Sequence, residues 1–286
     1  LQADLNRYSP TAADDGLWQD RVAYLRGSKA KEGSPFRRRY RALGDIVNSG
    51  VQYVGAPSPS RSLGDGYADF ATAAKDRTTA VYAGVNDGML HAFNAKTGAE
   101  LFAYIPSWLG PKLSALTDPG YHHQTYVDAT PVIGDAKVGS GSTAADWKSV
   151  LVSDSGGGGR GVFALDVTDP SDFGPSKVMW EFTEANDRDM GYVLGKPRIV
   201  RMKTSAPSAT TTTYRWFAMV PAGVNNYVQK DASDDNFSRT GAPTIFLLAL
   251  DKPAGTEWTS TGSSPNYYKI TLPFDAATAV NNPTGV

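Results

Sequence analysis

The feature that most constrains the fold is a repeated pattern of short apolar runs separated by turns. In its clearest copy, residues 81–106, three apolar runs alternate with the polar turns 86–88 and 94–98. The dipeptides Asp-Gly and Thr-Gly in these turns tolerate the positive φ angles that tight hairpins require. Short β-rich runs joined by two such turns predict a three-stranded antiparallel meander.

The same skeleton occurs three times, each time with an apolar strand that ends in Ala-x-Asn or Ala-x-Asp. These strand ends are Asn94, Asp166 and Asp251. They lie roughly 70 to 85 residues apart, farther than in compact blades, because loops are inserted. Repeated antiparallel units that bury their faces against one another predict an all-β fold, namely a β-propeller of modified blades with long inserted loops. A β-sandwich with chance similarity between hairpins is the alternative, because the spacing is uneven.

The composition excludes several classes of function. A formal net charge of −1 argues against a nucleic-acid binder, which needs a basic face. The absence of cysteine excludes disulfides, thiol nucleophiles and cysteine-ligated metals. No apolar run is long enough for a membrane span. We therefore expect neither a nucleic-acid partner nor a membrane-spanning segment.

Residues 1–50 differ from the rest and form a lead-in segment, which we separate from a partial β-propeller at 51–286. The pattern at 14–26 predicts a short helix, and an arginine-rich run follows at 37–41. A run of this kind either binds polyanions or forms ion pairs with carboxylates of its own fold. The small net charge of the chain favours the second role. The chain starts without Met and stops just after a predicted strand, so we expect an incomplete propeller from a longer protein.

Four inserted loops are expected to carry contacts, because propeller loops vary while the blades hold them rigid. They are 57–76, 139–146, 203–213 and 225–242. The sequence also predicts a short helix over 107–120. A strand over 126–133 is predicted to be edge-like or to begin at Pro131.

The sequence contains no strong catalytic pattern, so we predict that the chain is not an enzyme. The glycine-rich stretch 153–160 lacks the Lys-Ser/Thr of a phosphate-binding loop and is interpreted as a flexible loop between strands. His122 and His123 are adjacent and would point to opposite faces of a strand, which makes them a poor metal site. His91 lies within a predicted strand and is interpreted as a packed side chain.

An ordered set of segments resembles the C-terminal propeller domain of the PilY/PilC family of type IV pilus biogenesis factors and tip-associated adhesins. The segments are 36–39, 43–49, 81–106, 116–119, 126–128, 158–168, 191–192 and 195–197. The resemblance covers nearly the whole chain. It implies a quinoprotein-like propeller that is exported to the bacterial cell surface, the pilus tip, or the outer membrane and periplasm. It also implies contacts with pilin or minor pilin subunits and with host or abiotic surfaces, in pilus assembly, extension–retraction and adhesion.

The resemblance further implies calcium control through a loop of the form Asp-x-Asp-x-Asp-x-x-x-Asp. The nearest match is 231–239, where Asp231, Ser233 and Asp235 place oxygens at the first, third and fifth positions. Arg239 stands at the ninth position and cannot bind a cation. The loop is therefore either a calcium site formed by these three residues or a solvated acidic loop, with the family's site beyond Val286. Arg26-Gly27-Ser28 replaces the Arg-Gly-Asp of some members, so we do not expect integrin-type recognition.

Two other functions stay open from the sequence. A quinone-dependent dehydrogenase shares this propeller class, but such enzymes often carry a vicinal cysteine pair that this chain lacks. A periplasmic binding scaffold unrelated to pili would share the fold and bind no pilin.

Overall fold

The computed structural model describes residues 2–9, 11–230 and 232–273, which contain three antiparallel sheets of four strands each. The first sheet consists of β1 (Gln52–Val54), β2 (Ala80–Gly84), β3 (Leu90–Asn94) and β4 (Glu100–Tyr104). The second consists of β5 (Val132–Lys137), β6 (Trp147–Asp154), β7 (Gly161–Asp166) and β8 (Val178–Thr183). The third consists of β9 (Arg198–Lys203), β10 (Tyr214–Ala222), β11 (Thr244–Ala249) and β12 (Tyr267–Thr271). Within each sheet the strands are neighbours in chain order, which confirms the predicted repeat of four-stranded blades.

The described residues also form four short α-helices, of which the first two precede β1, and five 3-10 turns. The helices are α1 (Gln2–Leu5), α2 (Trp18–Leu25), α3 (Tyr67–Ala73) and α4 (Gly110–Leu113). The 3-10 turns are Ser107–Leu109, Ser114–Thr117, Ala144–Asp146, Gly156–Gly158 and Pro175–Lys177. In the part of the chain that the structure describes, no helix is long and apolar enough to cross a membrane.

Four local predictions concern these elements, namely two helices, a loop and a strand. The helix predicted at 14–26 is present as α2, whereas the one predicted at 107–120 is a succession of three short helical turns. The prediction that 57–76 is an exposed loop was wrong, since α3 lies inside it. Tyr67, Phe70 and Ala71 recur at helical spacing and are buried with Trp147. β5 begins directly after Pro131, where a missing backbone N–H does not disturb the ladder.

The middle sheet buries both of its faces, one against each neighbouring sheet. Successive side chains on a strand point to opposite faces, so β6 and β7 divide their residues by alternation. Leu151 and Phe163 lie in the core shared with the first sheet, whereas Val152 and Val162 lie in the core shared with the third. Each sheet therefore depends on its neighbour for burial, as propeller blades do.

The repeated residues Asn94 and Asp166 end the third strands of their sheets, whereas Asp251 lies two residues beyond the end of β11. The side chains of Asn94 and Asp166 each accept a hydrogen bond from the backbone N–H two residues later, at 2.9 and 3.0 Å. The pairing register of the third and fourth strands shifts just before both residues. In the third sheet, Asp251 instead lies 2.9 Å from Nε of Arg215. The repeat thus reflects shared turn chemistry in two blades and an ion pair in the third.

The lead-in segment packs onto the first two sheets. Leu5 and Leu25 belong to the core between these sheets. Arg21 is fully buried and forms paired hydrogen bonds of 2.7 Å with Asp15, so its charge is neutralised inside the fold. The division into a lead-in at 1–50 and a propeller at 51–286 stays a prediction.

Candidate functional site

Three of the four loops expected to carry contacts meet at one cavity of about 420 Å³ between the second and third sheets. The residues that these loops contribute are Leu63, Gly64, Asp65, Gly139, Ser140 and Thr212. The remaining wall comes from strands or residues next to them, namely Lys137, Trp147, Arg201, Tyr214, Arg215, Trp216 and Asp251. Loops from distant parts of the sequence therefore form one concave surface on a rigid base, an arrangement typical of binding sites.

Aromatic and cationic side chains alternate on the third-sheet wall of this cavity. Arg201 lies directly opposite Trp216 on the paired strands β9 and β10, and Tyr214 is two residues farther on the same face. The guanidinium of Arg201 lies 4.0 Å from the centre of the Tyr214 ring. Trp216 meets Trp147 of the second sheet edge to face, with ring centres 5.9 Å apart. These contacts fix the side chains and join the two sheets at this end.

The charges of the cavity are only partly paired. Asp251 accepts hydrogen bonds from Arg215, and these bonds raise the pKa of the Arg215 guanidinium. Arg201 donates to the backbone oxygen of Leu63 at 3.3 Å. Within the described residues, neither Lys137 nor Arg201 has a carboxylate oxygen within 4.0 Å. Among the described residues, Lys137 and Arg201 thus have no direct carboxylate contact, while the charge of Asp146 acts on Lys137 from beyond 4.0 Å.

Of the predicted calcium ligands, Ser233 and Asp235 belong to the fourth loop and do not line this cavity. Asp231 lies outside the described residues, and Ser233 is exposed and has an interaction partner. Asp235 is exposed and lies 3.4 Å from the guanidinium of Arg239, the residue at the ninth position. The described residues hold no cluster of three or more acidic, histidine or cysteine side chains suited to a metal. The calcium site at Asp231, Ser233 and Asp235 therefore stays a prediction.

Both ends of this fourth loop are fixed to the segment that follows the second sheet. Lys230 forms an ion pair with the buried Glu184 at one end. At the other end, the hydroxyl of Ser238 donates to Asp189 at 2.5 Å. The loop thus leaves and re-enters the fold at two defined points.

The arginine run serves the fold, as predicted, at two of its positions. Arg39 lies 2.8 Å from Glu32, and both side chains are at most 10 % exposed. Arg37 donates to the backbone oxygen of Leu116 at 3.2 Å. Arg38, between them, is exposed, so the run alternates between inward and outward side chains.

The glycine-rich stretch does not form the flexible loop that we predicted from its composition. Gly156 and Gly158 are buried in a 3-10 turn, and a Cβ at Gly158 would collide with the backbone oxygen of Tyr126. Asp154 lies fully buried beside it, and burial raises the pKa of this carboxyl from 3.8 to about 8. Glycine is needed here for close packing rather than for motion.

Two of the three histidines have carboxylate partners that the sequence did not reveal. His91 is packed, as predicted, but its two ring nitrogens also lie 3.2 Å from Asp87 and 2.6 Å from Glu100. His123 lies 2.8 Å from Asp45, far along the sequence. For His91 the sequence does contain an indication of this contact, because Asp87 lies four residues earlier, across a tight hairpin.

Comparison with known proteins identifies relatives over most of this chain. The model of the PilY1 beta-propeller domain family matches residues 43–230. A type IV pilus biogenesis factor PilY1 homolog from Xylella fastidiosa is 43 % identical over 80 % of this chain and 15 % of its own length. PilY1 from Pseudomonas aeruginosa strain PAK is 44 % identical over 70 % of this chain and 18 % of its own length.

A solved structure also matches. The crystal structure of the Pseudomonas aeruginosa PilY1 C-terminal domain is 32 % identical, with a TM-score of 0.46, over 69 % of this chain and 33 % of that chain. The present chain spans only 15 % and 18 % of the length of the two relatives named above. Since the family model covers more than half of the chain and the sequence identity exceeds 40 %, this chain belongs to the PilY1 β-propeller family.

Proposed function

We propose that this chain is a non-enzymatic contact domain of a type IV pilus biogenesis factor, which binds pilin or minor pilin subunits and host or abiotic surfaces. The relatives are named type IV pilus biogenesis factors, although they are much longer proteins. The observation that carries the proposal is the meeting of three inserted loops at one cavity above two packed sheets. Loops on a rigid base offer a shaped contact surface at little conformational cost. The proposed location is the cell surface, the pilus tip, or the outer membrane and periplasm.

The structure offers a precise way to remove part of this surface. The backbone N–H of Thr204 donates to the oxygen of Thr213 at 2.9 Å, so the loop between them is already closed at its base. Replacement of 205–212 by Asn-Gly should join β9 to β10 by a two-residue turn. The substitution Lys96→Ala, in an exposed turn of the first sheet, serves as the control.

Binding of these chains to purified major and minor pilin subunits is measured by biolayer interferometry. We expect the shortened loop to weaken binding by about tenfold or more and Lys96→Ala to leave it unchanged. Equal binding by the shortened and unaltered chains would contradict the assignment of contacts to this surface. An unaltered chain that binds no pilin would favour a periplasmic scaffold unrelated to pili.

The proposal includes calcium control, through a calcium site in the fourth loop. Lys230 and Ser238 fix the loop ends, so a cation held by Asp231, Ser233 and Asp235 would order the residues between them. Calorimetric titration with calcium compares the unaltered chain with the variant Asp231→Ala, Asp235→Ala. Saturable binding that the variant loses supports the site, whereas absence of binding leaves this loop as a solvated acidic loop.

A quinone-dependent dehydrogenase is the second candidate, favoured only by the class of propeller. A dye-linked oxidation assay with added quinone separates it from a contact domain. Turnover that depends on the quinone would replace the proposal made above.

A further inference from the structure

We propose that the cavity lined by the three loops binds an anionic saccharide, that is, a sugar ring that carries a carboxylate. The inference deepens the proposed function, on which it rests for its biological role, because it names a ligand for the same loop surface. It depends on the size, charge and side-chain chemistry of the cavity.

The cavity itself has the size of a small-molecule site, while the loops around it offer the wider surface that a protein could contact. Its volume of about 420 Å³ lies within the range of roughly 300 to 1,000 Å³ that is common for small-molecule sites. Its wall is rich in polar and charged groups, which favours a hydrophilic ligand. The polar side chains are Asp65, Lys137, Ser140, Arg201, Thr212, Arg215 and Asp251, besides the tyrosine and tryptophan rings.

The charge of the wall favours an anion. Three cations face two carboxylates, and Asp251 pairs with one of the cations, Arg215. Among the described residues, Lys137 and Arg201 lack a carboxylate partner within 4.0 Å. Both have donors for a ligand carboxylate, which forms stronger hydrogen bonds with charged donors than with neutral ones.

The aromatic side chains favour a ring over an open-chain acid. Tyr214 is 50 % exposed and Trp216 is partly buried, so each presents apolar ring atoms toward solvent. A sugar ring has apolar C–H faces that can pack on such atoms. Because Arg201 already covers one face of Tyr214, a cation and an apolar surface lie side by side.

The Arg215–Asp251 pair also borders the cavity, although Arg215 points to the opposite face of β10 from Tyr214 and Trp216, and it offers acceptors for hydroxyl groups of a sugar. Nε of Arg215 lies 3.0 and 2.9 Å from the two oxygens of Asp251, and Nη1 donates to the backbone oxygen of Pro265. An ionised carboxylate has about four acceptor sites, so Asp251 retains capacity for further donors. Its 30 % side-chain exposure leaves these oxygens accessible to the hydroxyl groups of a sugar.

The proposal is tested by calorimetric titration of the 286-residue chain with an oligogalacturonate. The same oligosaccharide as its neutral methyl ester and inorganic phosphate are titrated in parallel. The variant Lys137→Gln, Arg201→Gln removes the two unpaired cations. The matched control is Lys96→Gln, Arg188→Gln, which removes one exposed lysine and one exposed arginine away from the cavity. In addition, Ser140→Trp fills the cavity from an exposed rim position.

We expect saturable binding of the oligogalacturonate, weakened by about tenfold or more in the cavity variant and in Ser140→Trp but not in the control. The methyl ester and phosphate should bind more weakly by a similar factor. No binding, equal binding of the methyl ester, or equal losses in cavity and control variants would overturn the proposal. Pilin binding measured on the same samples separates this result from the proposed function, since a chain that binds pilin but no oligogalacturonate refutes only the saccharide site.

Discussion

The guanidinium of Arg160 lies 3.1 Å from the carboxylate of Glu184, and both side chains are at most 10 % exposed. The same carboxylate also pairs with Lys230, while Arg160 donates to the backbone oxygen of Val228 at 2.7 Å. One buried carboxylate thus connects the turn of the second sheet, the segment after that sheet and the fourth loop.

Removal of this carboxylate should be costly, because it leaves a buried guanidinium without its ion-pair partner. We expect Glu184→Ala to lower the free energy of unfolding by about 3 to 5 kcal/mol, measured by urea denaturation. The control is Asp172→Ala, since Asp172 is 82 % exposed and lies 3.5 Å from Lys177. That exposed pair should contribute about 0 to 1 kcal/mol, and similar losses in both variants would contradict the prediction.

Phe182 should be a main contact between the second and third sheets. Its ring centre lies 5.0 Å from that of Trp258 and 5.2 Å from those of Phe246 and Tyr267. We expect Phe182→Ala to lower the free energy of unfolding by about 3 to 5 kcal/mol, through lost burial and a cavity. Phe237→Ala, in the fourth loop, is the control and should cost much less. A small effect of Phe182→Ala would mean that the two sheets do not depend on this cluster.

His91 should make stability depend on pH with a known sign. Burial lowers its pKa, but the hydrogen bonds and charges of Asp87 and Glu100 outweigh burial and raise the pKa above 6.5. The folded protein therefore binds the proton more tightly than the unfolded chain does. The resulting stabilisation is fully present below pH 6.5 and is lost as the pH rises through the folded pKa.

This dependence can be isolated by comparing His91→Asn with the wild type in denaturant titrations at several pH values. The loss of unfolding free energy caused by His91→Asn should be larger at acidic pH than at alkaline pH. His122→Asn, at an exposed histidine, is the control for the substitution itself. A loss that is the same at every pH would show that His91 acts only by packing.

Asp154 and Asp146 should respond to pH in opposite directions. Burial raises the pKa of Asp154 from 3.8 to about 8, so the folded protein retains a proton that the unfolded chain releases. Stability should therefore fall as the pH rises between 3.8 and about 8. Asp154→Asn can keep the acceptor for the N–H of Gly156 and should reduce this fall, so its advantage over the wild type grows toward pH 8.

Asp146 provides the comparison. Hydrogen bonds from Thr143 and the backbone N–H of Gly141 lower its pKa, so its stabilisation is present above pH 3.8 and is lost as the pH falls through the folded pKa. Asp146→Asn should therefore be less stable than the wild type at neutral pH, with a gap that closes in acid. If the difference in unfolding free energy from the wild type changed with pH in the same way for both variants, the two opposite assignments could not both hold.

The blades could be predicted from the sequence because their signals are local. The side chains of Asn94 and Asp166 form turns with residues two positions later, and glycine in the hairpins marks the points of reversal. α3 could not be predicted, since 57–76 has the composition of a loop and its helix is stabilised by burial against the distant Trp147. β9 could not be predicted either, since its sequence Arg-Ile-Val-Arg-Met-Lys does not alternate and none of its residues is fully buried.

The candidate site illustrates the same limit. The sequence indicated which loops would carry contacts, but not that three of them meet. Lys137 and Arg201 become neighbours of one cavity only because the second and third sheets pack face to face. The calcium prediction depended on spacing within one loop, and the fold adds only that Asp235 lies near Arg239.

The two-sided burial of the middle sheet also limits how the length of this chain can vary. One extra residue within β6 or β7 would shift the alternation of the side chains that follow it by one position. Residues that now pack against the first sheet would then face the third sheet, and the reverse. Ten extra residues in a hairpin loop such as 203–213 would leave every strand residue on its present face of the sheet. Insertions and deletions should therefore accumulate at the hairpins, so new binding surfaces can arise while the blades keep their register.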